Sequence, residues 1–183
     1  MRFRRLETGL EGLALVAAEV LRDQRGFLTE SFRVDELRRL GIDCDFVQEN
    51  QSRSLRGTLR GIHFQTSPGQ AKLVRCARGQ ILDVVVDLRR DSSTFGRWEG
   101  HELSDENLRQ LFVPVGFGHA FLVLSDEADV IYRLSSYFDP ETEESVAWDD
   151  PEIGIEWPAM SYLVSERDRG APRLSEIADS LPW

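Results

Sequence analysis

Between Gly12 and Trp157, short apolar runs alternate with polar residues and break every ~10 residues at turn-forming positions. This period of two predicts strands, and so many short strands predict an all-β sandwich or barrel. The segments Leu73–Ala77 and Ile81–Leu88 flank Arg78-Gly79 and read as a hairpin. Further strands are expected at Arg109–Val115, His119–Leu124 and Asp129–Ser135. Helix signals are few. Val34 to Leu40, with Gly41 behind it, reads as a short capped helix, and Ser175 to Ser180 as another; neither is long enough to build a helical layer. The sequence carries no repeat, low-complexity tract or linker, so residues 1–183 read as a single antiparallel β domain. The charged, proline-containing tail after Trp157 is expected to wrap around it.

Composition narrows the function. A content of 41% hydrophobic and 30% charged residues is the balance of an ordinary globular protein and excludes a disordered chain. A net charge of -10 argues against nucleic acid as a partner, although a few clustered arginines can still hold a phosphorylated small molecule. Cys44 and Cys76 show neither disulfide nor zinc spacing and read as buried free thiols of a reducing compartment. No signal-peptide-like apolar stretch follows the arginine-containing start, and no segment approaches the ~20 apolar residues of a membrane span; a cytoplasmic protein without membrane contact is expected. Lys72 is the one lysine among 22 basic residues. A position that resists so strong an arginine bias is a candidate for chemistry needing a compact, tunable charge; an ordinary surface lysine is the alternative.

Two segments carry histidines in recognisable settings. Gly57-Thr58-Leu59-Arg60-Gly61-Ile62-His63 and Pro114-Val115-Gly116-Phe117-Gly118-His119 fit the two halves of the pattern found in cupin barrels, which would point both histidines into one cavity. Metal-binding cupins generally place a second histidine where Gln65 stands, and a glutamate a few residues on, where this chain has Gln70 to Lys72. Amide oxygen is a poor ligand for the metals that imidazole sites favour, so an acid–base site without metal, using His63, is preferred. Asp83 shares a strand face with Ile81 and Val85 and is an inward carboxylate that could orient a histidine. Taken alone, Tyr132 reads as a core or rim aromatic and Asp168 as a solvated tail residue.

Taken together, Phe46-Val47-Gln48-Glu49-Asn50, Leu59 through Gln65, Lys72-Leu73-Val74 and Asp83 through Arg89 resemble the dTDP-4-dehydrorhamnose 3,5-epimerase family. The likeness runs from Arg25-Gly26-Phe27 through Gly116-Phe117-Gly118-His119 and Trp148-Asp149-Asp150-Pro151 to Ser165-Glu166-Arg167-Asp168. The resemblance implies an antiparallel jelly-roll (cupin) barrel with a few short peripheral helices. It also implies a homodimer that needs no cofactor and inverts one or two carbons beside the 4-keto group of a dTDP-linked 6-deoxyhexose, in rhamnose or deoxysugar synthesis. By the same resemblance His63 is the base, Asp168 its partner, Lys72 the stabiliser of the enolate oxygen and Tyr132 the acid. Substrate-binding roles fall on Arg25, Glu30, Gln48, Asn50, Arg60, His119, Glu143 and Arg167. The chain departs from the family pattern at Glu49, Gly118, Ala120 and Arg167. These departures remove no catalytic group, yet leave room for a 3-only or 5-only epimerase, a ketoisomerase of a related 4-keto sugar, or a non-catalytic sugar-nucleotide-binding module.

Overall fold

The computed structural model describes residues 2–183. Fourteen strands and three short helices follow one another along them. The first strands are β1 (Phe3–Leu6), β2 (Ala14–Ala18), β3 (Val20–Asp23) and β4 (Gly26–Thr29), followed by helix α1 (Val34–Arg39). The body of the protein is built from β5 (Gln48–Leu55), β6 (Thr58–Gln65), β7 (Lys72–Arg78), β8 (Gln80–Asp87), β9 (Trp98–Ser104), β10 (Arg109–Val113), β11 (Phe117–Val123) and β12 (Glu127–Leu134). After β13 (Glu143–Ser145) and β14 (Leu163–Val164) come α2 (Glu166–Arg169) and α3 (Leu174–Ile177).

Twelve of the strands form two facing sheets, in the orders β1-β2-β10-β7-β12-β5 and β13-β6-β11-β8-β9, with β14 added parallel to β6, and β3 and β4 pair as a separate ribbon. This is the expected antiparallel jelly roll. The layers are held by a shared core: Val74, Leu111, Val113 and Val130 of the first sheet pack with Ile81, Val85, Leu103 and Phe121 of the second. Every residue of β11 is buried, because the tail lies across its outer face, where Leu174 and Leu181 pack with Ile62, Leu88 and Ala120. The tail therefore does wrap the barrel.

Local expectations are met at α1, which ends before Gly41 in a left-handed conformation (φ 83°). Two others are corrected. β7 and β8 do not form a hairpin. β7 pairs with β10 and β12 while β8 pairs with β11 and β9, so Arg78-Gly79 carries the chain from one sheet to the other. Gly79 is needed there: it has φ 80°, and a Cβ on it would lie 2.3 Å from the Glu127 carbonyl oxygen. The tail helix begins at Leu174 and gives way to a 3-10 turn over Ala178–Ser180. The turn of helix α2 was not foreseen.

A candidate active site between the sheets

One end of the space between the sheets is not filled by apolar side chains but opens as a cavity of about 350 Å³. Strand alternation decides what enters it. On the first sheet, Asn50 and Ser52 of β5, Lys72 of β7, and Tyr132 and Leu134 of β12 point inward. On the second, His63 lies directly opposite His119, and Arg60 opposite Phe121. His63 and Arg60 are three residues apart, so a regular strand would aim them at opposite faces. The register between β6 and β11 slips by one residue at this point, and the bulge turns both side chains to the cavity. Gly61 makes the bulge possible, with φ 125° and the Ala120 Cβ only 2.5 Å from where its own would be.

His63 Nε2 lies 2.7 Å from Asp168 Oδ1. The aspartate is 3% exposed and comes from α2, where Ser165 Oγ accepts from the Asp168 amide and caps the helix turn. Burial alone would raise its carboxyl pKa. The hydrogen bond and charge of His63, with the Ser165 and Gly61 contacts, outweigh this and hold it below the ordinary carboxylate value. An ionised Asp168 accepts the Nε2 proton of His63 and leaves Nδ1 as the basic nitrogen. The second histidine is fixed likewise: His119 Nε2 sits 2.9 Å from Asp83 Oδ2, both residues being buried. Asp83 is thus the orienting partner of His119, as its strand face suggested.

Lys72 is buried, and Nζ donates to the His63 carbonyl oxygen at 3.3 Å. Its burial pulls the ammonium pKa down to about 8, against the nearby carboxylates Glu143 and Asp83, which raise it. It is no surface lysine. Of the other residues singled out in the sequence, Asn50, Arg60, His119, Tyr132 and Glu143 line the cavity. Gln48 donates to Asn50 Oδ1 at 2.9 Å just beside it. Arg167 pairs with Glu143 at the rim, on the same helix turn as Asp168. Arg25 and Glu30 lie elsewhere. Arg25 tips the β3–β4 ribbon, paired with Asp23 in a groove of about 420 Å³, while Glu30 stands in a pocket with Arg75 and Gln110. Within one chain neither reaches the cavity, because the ribbon joins neither large sheet.

Sequence reasoning missed Ser52, Gln70, Phe121, Leu134 and Phe138 among the lining residues. For Ser52 a signal existed, since it alternates with Asn50 along β5; Phe138 lies in irregular chain, where no periodicity points to it. Among the described residues no group of three or more His, Cys, Asp or Glu is arranged to hold a metal ion. Gln65, at the position of a possible ligand, is instead bonded to the Tyr137 carbonyl oxygen and to Gln70.

An imidazole braced by a carboxylate, a buried ammonium and a phenol around one cavity of a jelly roll are the groups that an isomerase moving protons beside a carbonyl requires. Comparison with known proteins agrees. The family model described as dTDP-4-dehydrorhamnose 3,5-epimerase matches residues 7–176, and the chain belongs to that family. The dTDP-4-dehydrorhamnose 3,5-epimerase of Methanothermobacter thermautotrophicus is 46% identical over 177 residues, covering 95% of this chain and 96% of its own. The solved structure of dTDP-6-deoxy-D-glucose-3,5-epimerase from Legionella pneumophila, in complex with dTDP-4-keto-L-rhamnose, superposes with a TM-score of 0.95. It is 41% identical and covers 98% of this chain and 97% of its own. A 3'-monoepimerase from Streptomyces bikiniensis in complex with dTDP-quinovose superposes with a TM-score of 0.89 at 40% identity, over 94% and 89% of the two chains.

Proposed function

We propose that this chain converts dTDP-4-dehydro-6-deoxy-D-glucose into dTDP-4-dehydro-L-rhamnose by inverting carbons 3 and 5 through enolates, as one epimerase domain spanning 1–183. The observation that carries this reading is the placement of base and acid on opposite walls: His63 stands on β6 of one sheet and Tyr132 on β12 of the other, with the cavity between them. A sugar lying between the sheets presents one face to each. His63 Nδ1 removes the proton α to the 4-keto group, and the electron pair moves onto the keto oxygen. The Lys72 ammonium, inside the same low-dielectric cavity, stabilises that oxyanion. Tyr132 then gives its phenolic proton to the carbon from the opposite face, which inverts the centre. Solvent takes the imidazolium proton and restores the phenol. Asp168 holds the imidazole in the tautomer with Nδ1 free and stabilises the cation formed on it. None of these steps calls for a metal or organic cofactor.

Arg60 and Arg167 line a second groove, about 480 Å³, that runs from His63 past α2, and they suit the diphosphate of such a substrate. Arg25 and Glu30 enter the reading through a second copy of the chain. The β3–β4 ribbon exposes Leu21, Phe27 and Leu28 at 52%, 50% and 64%, a surface suited to burial in a homodimer that brings both residues to the partner's cavity. No described helix is long and apolar enough to cross a membrane, and the reading places the enzyme in the cytoplasm.

Incubation with the 4-keto substrate in heavy water, followed by NMR, tests the proposal. Deuterium is expected at carbons 3 and 5, and none with His63→Ala; wild-type enzyme that exchanges neither carbon would sink it. Tyr132→Phe is expected to keep exchange while losing inversion. A second reading, inversion at carbon 3 alone, draws on the likeness to the Streptomyces bikiniensis monoepimerase and predicts exchange at one carbon only.

A further inference from the structure

Three glutamines hold successive residues of the segment that follows β12. Gln70 Nε2 donates to the Ser136 carbonyl oxygen at 3.0 Å and to Gln65 Oε1 at 3.1 Å. Gln65 Nε2 donates to the Tyr137 carbonyl oxygen at 3.2 Å, and Gln48 Oε1 accepts from the Phe138 amide at 3.0 Å. Ser136 Oγ donates to the Gly69 carbonyl oxygen at 3.1 Å, and Ser135 Oγ accepts from the Ala71 amide at 2.8 Å. Every residue from Ser135 to Phe138 is therefore tied to the barrel. Gln65 and Gln70 are 2% and 8% exposed, and a buried amide is costly unless its donors and acceptors are met. Here each amide donates to one backbone carbonyl of the segment, and the two are joined to each other.

The segment held in this way does not anchor itself by burial. Tyr137 is 72% exposed and Phe138 45%, yet the Phe138 ring lines the cavity. A volume of 350 Å³ lies at the lower end for small-molecule sites, so a sugar fits inside while the nucleotide attached to it must extend past the rim.

We propose that Gln65 and Gln70 are positioning residues for substrate: through the backbone of Ser136 and Tyr137 they hold Phe138 at the cavity mouth, against the part of the nucleotide-linked sugar that passes it. The inference rests on the nucleotide-sugar reading above. A ring fixed before binding does not have to be ordered by the ligand, and its contact is made equally in ground and transition states. The clamp therefore acts on KM and leaves kcat alone.

Gln65→Met keeps the length of the side chain and removes both hydrogen bonds. Turnover in heavy water should show KM raised about tenfold, the equivalent of about one such bond, with kcat within about twofold. Phe138→Ala should raise KM by a similar factor, and Gln65→Met should add nothing in that background. A purely structural glutamine would leave the two KM effects multiplying, and that result overturns the proposal, as does a fall in kcat at unchanged KM. Gln70→Met carries the same cycle should Gln65→Met fail to fold. Calorimetric titration with dTDP separates the two readings. If wild-type enzyme binds dTDP but exchanges no deuterium, the epimerase assignment falls, and the clamp still stands or falls on whether Gln65→Met weakens dTDP binding about tenfold.

Discussion

Replacing Asp168 by asparagine keeps the shape of the base's partner and removes its charge. The His63 Nε2 to Asp168 Oδ1 distance is 2.7 Å, and the carboxylate is 3% exposed, so little solvent screens the pair. The amide oxygen of the substituted side chain can still accept from Nε2, so the imidazole keeps its tautomer and ring position. What is lost is the stabilisation of the imidazolium once His63 has taken the substrate proton. A hydrogen bond to a charged partner contributes about 3 kcal/mol at most, and each 1.36 kcal/mol on the barrier is a factor of ten in rate. The expected loss in kcat is between about 10- and 10²-fold with KM nearly unchanged, because the charge forms only as the proton moves. Loss of deuterium from C3- and C5-labelled substrate, followed by NMR, measures it, with thermal melting as the folding control. In a His63→Ala background the substitution should have no further effect. A folded Asp168→Asn enzyme within about threefold of wild-type kcat would refute the argument, and so would an equal loss in both backgrounds.

Four further perturbations concern Lys72, Gly118 and Asp87. Lys72 carries its cation only below about 8, so kcat/KM should fall on the alkaline side with a midpoint near that value, and a profile flat to pH 10 would remove the lysine from the mechanism. Since the folded pKa of Lys72 is depressed from 10.5, its burial costs stability below pH 8 and the cost fades as pH rises towards 10.5. Lys72→Met should therefore raise stability at pH 7 by about 1–3 kcal/mol in denaturant melts while abolishing exchange. Gly118→Ala would place a Cβ 2.4 Å from Ile62 Cγ2 and should cost about 1–3 kcal/mol of unfolding free energy, measured the same way. For Asp87, burial would raise the pKa, but hydrogen bonds from Arg89, Thr94 and Ser92 bring it down to about 2. Its contribution is complete above the unfolded value of 3.8 and lost as pH falls towards 2; Asp87→Asn should cost about 2 kcal/mol at pH 7 and flatten the acid limb of the stability curve.

Much of the fold was legible because strand alternation and burial coincide in this chain. β10, β11 and β12 lie within a few residues of where the apolar runs place them. The hairpin expectation failed at Arg78-Gly79 because a glycine turn between two apolar strands serves equally to fold a strand back onto its neighbour or to carry the chain across to the facing sheet. Only the partners on either side decide, and β10 and β12 occupy both edges of β7. Helix α2 escaped notice because four residues carry no helical period. Its remaining signal is the spacing of Ser165 to Asp168, a cap accepting from the third residue on.

The site was legible in kind more than in arrangement. Lys72 stood out by composition, and its burial explains why arginine does not replace it: the cavity wall needs a compact cation whose pKa burial can lower, and a planar guanidinium offers neither property. His63 stood out by spacing from Gly57, but that spacing does not tell a base from a metal ligand. The proposed role of base draws on two residues beside it, one placed by strand alternation and one brought in by α2. Gln65, next on the same face of β6, turns both ends of its amide to Gln70 and Tyr137, and Asp168 arrives from the far end of the chain to take the ring nitrogen. The contacts with Tyr137 and Asp168 reach far along the chain, so no short window of sequence contains them. Arg25 and Glu30 mark the limit of the same logic, because a motif records which residues act together and not which copy of the chain supplies them. In one chain both stand outside the cavity, and titrating the wild-type protein to dilution measures the rest: if the ribbon of a second copy completes the site, specific activity must fall with the dimer population.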